Sequence, residues 1–125
     1  MLTVLPIQSK DTQKELCEVC NVKYLENAFA YRADDGDFIG ICQFYFKDDN
    51  GYIENLTYAP NVSDWEAMII MLRASMSFMY RCGIKLVYLS GSTDEELIKR
   101  SGFLKNDKSE FFIDVQKFYG GSCCS

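Results

Sequence analysis

The chain has 125 residues, 48% hydrophobic and 25% charged, with a formal net charge of -5. That is the size and balance of one soluble globular domain. The acidic excess excludes a nucleic-acid surface, which needs clustered Lys and Arg, and no window approaches the ~20 apolar residues of a membrane span. The opening Met1 to Pro6 carries no basic region and no long apolar run, so a cytoplasmic location is expected.

Leu2 to Ile7 reads as a first strand. Asp11 to Cys20 reads as a helix with Leu16, Val19 and Cys20 on its apolar side. Ala28 to Ala33 is a short strand, Asp34 to Asp37 a turn, and Phe38 to Phe46 a strong strand run. Lys47 to Gly51 contains Asn-Gly and should turn the chain back into a strand over Tyr52 to Tyr58. A long helix follows from Trp65 to Arg81, with Gly83 placed to end it. Lys85 to Ser90 is a buried strand. Thr93 or Asp94 caps a short helix reaching about Ser101, and Phe111 to Val115 is a last strand.

The order βα-βββ-αβ-αβ predicts an α/β (α+β) domain over residues 1–119. Its central sheet is mixed, mostly antiparallel and flanked by helices. Residues 120–125, ending in Cys123-Cys124-Ser125, read as a frayed C-terminal tail.

Ser63-Asp64-Trp65-Glu66 opens the long helix and reads as a capping box. The Ser63 hydroxyl would accept from the Glu66 N–H, and the Glu66 carboxylate would return to the Ser63 N–H. A strand entering a helix N-terminus is a place where phosphate binds, but two carboxylates here stabilise the helix and repel a pyrophosphate. Trp65, Met68, Ile69, Leu72, Met76 and Met79 form one apolar stripe, and Ala67, Ile70, Met71, Ala74 and Phe78 cover much of the rest. A helix apolar on most sides should be sandwiched inside the domain, which is favoured over a self-association surface.

Six cysteines are scattered through apolar patterns, and the chain has no histidine. Reduced structural thiols are expected and no metal site, since Cys17-x-x-Cys20 falls late in a helix with no second pair. Tyr31, Phe44, Tyr45, Phe46, Tyr52 and Tyr58 cluster on neighbouring strands, as core or as the lining of a pocket.

This order, with several local phrases, resembles the GNAT acetyltransferase superfamily over nearly the whole chain. The phrases are Leu5-Pro6-Ile7 before Asp11, Phe38-Ile39-Gly40, Ile53-Glu54-Asn55-Leu56-Thr57-Tyr58-Ala59-Pro60 and Ser101-Gly102-Phe103. The resemblance implies a bulged fourth strand that splays from the fifth, with acetyl-CoA in the V-shaped gap and its carbonyl held by strand backbone. Ile53 and Leu56 stand three apart, which suits a bulge and equally suits a sheet covered on both faces. Leu56, Tyr58, Ser63 and Glu66 are then the positions equivalent to the coenzyme site.

The same resemblance exposes departures. The family's Arg/Gln-x-x-Gly-x-Gly/Ala loop falls on Ser63, Glu66 and Met68, and none of them matches. Both glycine positions carry side chains where backbone should approach the ligand. The family's Tyr acid falls on Ile98, and the Asn near the end of the fifth strand is missing from Ser90 to Ser92. Only Asn21 to Asn27 stands where the family has a second helix. Glu54 is the candidate base and Tyr88 the candidate acid.

The expectation is a domain that has lost the pyrophosphate loop and the Tyr acid. It would bind no cofactor and act as a ligand-binding or interaction module, with a small molecule or peptide in the V-cleft or a second copy as partner. The alternative is an active acyl-CoA-dependent N-acyltransferase with a diverged loop, using acetyl-CoA and a small amine.

Overall fold

The computed structural model describes residues 1–89 and 95–120. Seven strands form one sheet in the order β1-β2-β3-β4-β5-β7-β6. They are β1 (Thr3–Pro6), β2 (Phe29–Asp35), β3 (Asp37–Lys47), β4 (Asn50–Tyr58), β5 (Leu86–Leu89), β6 (Leu104–Lys105) and β7 (Phe111–Asp114). Every neighbouring pair is antiparallel except β4 and β5. The helices are α1 (Lys10–Val19), α2 (Trp65–Arg81), α3 (Glu95–Arg100) and α4 (Val115–Gly120). The mixed, mostly antiparallel sheet with flanking helices is the expected architecture, with β6 and α4 added.

Sequence period decides which face each helix covers. Strand side chains alternate, so β3 sends Cys42 and Phe44 to one face and Ile41, Gln43 and Tyr45 to the other. α2 closes the first face. Its Met68, Met71, Leu72, Met76 and Met79 are at most 1% exposed and pack with Phe44, Ile53, Leu56 and Val87 in the main core. α1 lies on the second face, where Cys17, Cys20, Ala30 and Ile41 form a smaller cluster.

α1 starts where Ser9 accepts from the Thr12 N–H at 3.3 Å. Its inward row is Gln13, Cys17 and Cys20, at i, i+4 and i+7, and Val19 is 47% exposed. The expected apolar side placed Val19 inward; helical period carries it outward and brings a glutamine in. Cys17, Cys20 and Cys42 are buried free thiols. Burial pushes the Cys42 thiol up to about 12, which keeps it protonated and inert.

The turn between β3 and β4 also differs from expectation. It lies on Asp48 and Asp49, with φ of 53° and 67°, flanked by the Lys47–Asn50 pair; two positive φ values suit a type I′ hairpin. Asn50-Gly51 belongs to β4 because Gly51 serves packing: a Cβ there would lie 2.5 Å from Met79 Sδ of α2. Gly40 has a similar reason, since its Cβ would meet the Thr57 carbonyl oxygen at 2.6 Å.

The last strand stops at Asp114, not Val115. The Asp114 carboxylate accepts from the Lys117 N–H at 3.1 Å and starts α4. Tyr119 of α4 donates its hydroxyl to the Arg73 carbonyl at 3.0 Å. The expected cap of α3 at Thr93 or Asp94, the Ser90 to Ser92 segment and most of the expected tail, 121–125, lie outside the described residues; Gly120 ends α4.

Candidate functional site

The β3–β4 ladder slips by one residue beside Glu54. Gln43 faces Asn55 and Phe44 faces Ile53, so Glu54 has no residue opposite it. This is the bulge that the Ile53/Leu56 spacing suggested. It keeps Ile53 and Leu56 both inward, at 0% and 4% exposure, while Glu54 is turned outward to solvent. The parallel β4–β5 pairing runs Gly51–Val87, Tyr52–Tyr88 and Ile53–Leu89. Among the described residues it ends just before the bulge.

Three tyrosines floor the sheet on the side away from α2. Tyr45 stacks on Tyr52 with centroids 5.3 Å apart, and Tyr52 stacks on Tyr88 at 5.4 Å. The Tyr45 hydroxyl donates to Glu54 Oε1 at 3.1 Å. Burial first, and then the carboxylate accepting its proton, hold the Tyr45 phenol above its usual range. Glu54 and Tyr88 line one recess of about 290 Å³ with Tyr52, Glu110 and Phe111. The candidate base and candidate acid therefore share a wall. On the other side of Glu54 a groove of about 550 Å³ is walled by Leu25, Glu26, Phe29, Tyr45 and Phe46. Its lining holds two carboxylates, three aromatic rings and no Lys or Arg.

The ring cluster read from the sequence is split by the sheet. Tyr31, Phe44 and Phe46 lie on the α2 face with Phe29 and Phe78. Tyr45 and Tyr52 lie on the other face with Tyr88. The alternation Gln43-Phe44-Tyr45-Phe46 carried that signal.

A buried amide network, which no motif announced, sets the groove's wall. Gln43 is fully buried and Gln13 is 1% exposed. Gln43 Oε1 accepts from Gln13 Nε2 at 2.9 Å and from the Leu25 N–H at 3.2 Å. Its Nε2 donates to the Lys23 carbonyl at 2.9 Å and to Asn55 Oδ1 at 2.6 Å. Lys10 Nζ donates to the Ala28 carbonyl at 2.6 Å. The α1–β2 connection contains no second helix and is pinned to the sheet by these bonds.

At the other end of β4 the chain turns at once. Val62 donates to the Ala59 carbonyl at 3.2 Å, and Asn61 after Pro60 has φ 63°, the pattern of a type II turn. The expected Ser63–Glu66 capping box does not form. Asp64 is the N-cap: its Oδ1 accepts from the Ala67 N–H at 3.2 Å, and its carbonyl takes the Met68 N–H. The helix begins one residue later than the box required, so the third position is Ala67 and has no carboxylate to return. Ser63 and Glu66 are both exposed. Of the two positions that the resemblance set against glycines, Glu66 adds a charge in the first turn and Met68 points into the core at 1% exposure. Ile98, the position the resemblance set against a Tyr acid, is fully buried in the main core. Leu56 is a core residue and Tyr58 packs against the core.

The first half of α2 is not sandwiched as expected. Trp65 is 49% exposed and Ile70 46%. α3 is only six residues long and places Arg100 over the Trp65 ring at 5.7 Å. Among the described residues no three His, Cys, Asp or Glu side chains are grouped to hold a metal ion, and no helix is long and apolar enough to cross a membrane.

With this strand order, single parallel pair and bulge, the chain superposes on solved acetyltransferases. The spermidine N-acetyltransferase of Vibrio cholerae superposes with a TM-score of 0.73 at 10% identity, covering 97% of this chain and 98% of that one. This is the GNAT fold. A GNAT-family acetyltransferase of Staphylococcus aureus also gives 0.73 at 10% identity, covering 92% and 99%. The N-acetylglutamate synthase of Neisseria gonorrhoeae, solved with coenzyme A and L-arginine, gives 0.71 at 14% identity over 90% of this chain and 33% of that one. No family model and no curated protein matches the sequence. The GNAT fold is thus present, with Asp64 and Glu66 at the start of α2.

Proposed function

We propose that this GNAT-fold domain is a binding module without acetyl-CoA turnover, taking a small ligand in the groove beside Glu54. One observation carries the reading: the Asp64 carboxylate occupies the first turn of α2, with Glu66 beside it, where a pyrophosphate would need free N–H groups. A dianion brought there meets two carboxylates and loses a donor to the cap. The groove supports a ligand with an apolar body and a cationic end, since rings and carboxylates line it. Calorimetry with acetyl-CoA tests the proposal. No binding is expected up to about 1 mM coenzyme, and a micromolar dissociation constant overturns it.

A second reading is favoured by a separate observation, the shared recess of Glu54 and Tyr88. There the domain is an N-acyltransferase using acetyl-CoA and a small amine, with Glu54 taking the amine proton and Tyr88 giving one to the thiolate. The spermidine enzyme of V. cholerae, named for an amine, is the kind of relative this reading invokes. Release of free thiol from acetyl-CoA in the presence of spermidine, abolished in Glu54→Gln, would establish it over the first.

A further inference from the structure

The outward stripe of α2 is apolar at its middle and oppositely charged at its ends. Glu66, Ile69, Ile70 and Arg73 follow the i, i+3, i+4 and i+7 spacing of one helix face. Glu66, Ile70 and Arg73 are exposed, and Ile69 is half-buried. Together with Trp65 and Arg100 they line a shallow recess of about 480 Å³. Neighbouring Glu96 and Arg100 bond each other at 3.1 Å. Glu66 and Arg73 form no ion pair among the described residues. Seven residues apart, they are separated by about 10 Å of helix rise and cannot reach one another comfortably.

The midpoint between Glu66 and Arg73 falls between Ile69 and Ile70. A two-fold axis through that point, with two α2 helices antiparallel, sets each Glu66 against the Arg73 of the second copy. It also brings the four isoleucines together at the centre. Such self-complementarity is what an isologous contact requires: one patch meeting itself with opposite charges in register. We propose that this chain self-associates through the Glu66–Arg73 face of α2, with a second copy as the occupant. The contact hides Ile70 from water and pairs two charges twice over. The contact shares Glu66 with the acidic first turn of α2, but Ile70 and Arg73 lie outside it, so acetyl-CoA calorimetry and the association state of the Arg73 and Ile70 variants are read separately.

Charge exchange tests it. Sedimentation velocity under reducing conditions, which exclude disulfide dimers through exposed Cys82, would follow the wild-type chain from about 1 µM to about 0.5 mM. A concentration-dependent dimer is expected. Glu66→Arg and Arg73→Glu, made singly, each create like-charge contacts at both ends and should weaken the dimer about tenfold or more. The double variant Glu66→Arg/Arg73→Glu restores both pairs with signs exchanged and should recover near-wild-type association. Ile70→Glu should abolish it, with circular dichroism confirming the fold of every variant. A wild-type monomer at the highest concentration, a dimer indifferent to Arg73→Glu, or a double variant no better than the singles would each overturn the proposal.

Discussion

The two faces of this sheet are made by the same strands and have been finished in opposite ways. On one face a 17-residue helix rich in methionine seals Phe44, Ile53 and Val87 from water. On the other lies a ten-residue helix with a smaller cluster beneath it. There Gln43 and Gln13 are buried with every bond satisfied, and Tyr45, Tyr52 and Tyr88 lie side by side with their surface half open. Adaptable apolar side chains finish a face by filling it. Directional polar groups finish one by fixing positions, and leave room for a ligand.

Replacing a ring on each face gives the largest contrast. Phe44→Ala empties the sealed side and should cost about 3–5 kcal/mol in denaturant unfolding. Tyr52→Ala on the open side should cost about 1 kcal/mol, since solvent already reaches its ring. Equal losses would mean the two faces are not different in kind. Next comes the amide network. Gln43→Leu strands the Leu25 N–H and the Lys23 carbonyl and should cost about 2–3 kcal/mol. Amide hydrogen exchange should then speed up over residues 21–28, where a purely apolar role for the position would leave it unchanged.

The cap of α2 is a smaller effect. Asp64→Ala should lower stability by about 1 kcal/mol. Combining it with Glu66→Gly removes both acids from the start of α2. Measurable acetyl-CoA binding in that double variant, absent from the wild type, would tie the proposed loss of coenzyme binding to those two carboxylates. Smallest is Glu54→Gln, which should leave the unfolding midpoint unchanged and lower the Tyr45 ionisation toward its ordinary value in an ultraviolet titration. The sign follows from the raised phenol. Stability linked to neutral Tyr45 is present below about pH 10 and fades as pH rises through the higher folded value. The variant should flatten that alkaline loss.

The bulge was legible because Ile53 and Leu56 stand three apart, yet the residue it releases could be named only once Phe44 was seen opposite Ile53. Asn-Gly looked like the turn because turn propensity is local. Gly51 was instead held in β4 by Met79, which is distant in the chain. Ser63 and Asp64 are both good caps, and one residue of helix register decided between them. The network of Gln13, Gln43 and Asn55 had no signature, since an isolated glutamine reads as a surface residue until its partners arrive from three elements.

By itself the sequence determined the order of the elements other than β6 and α4, the inward methionines of α2, and which residues stand at positions 63, 66, 68 and 98. These follow from period, composition and spacing, which are properties of neighbours along the chain. Only the tertiary structure decided that Glu54 and Tyr88 share a recess, that Asp64 closes the helix, and that Trp65 and Ile70 stay in the open. Those depend on which element packs over which face, and side-chain burial is settled by neighbours in space.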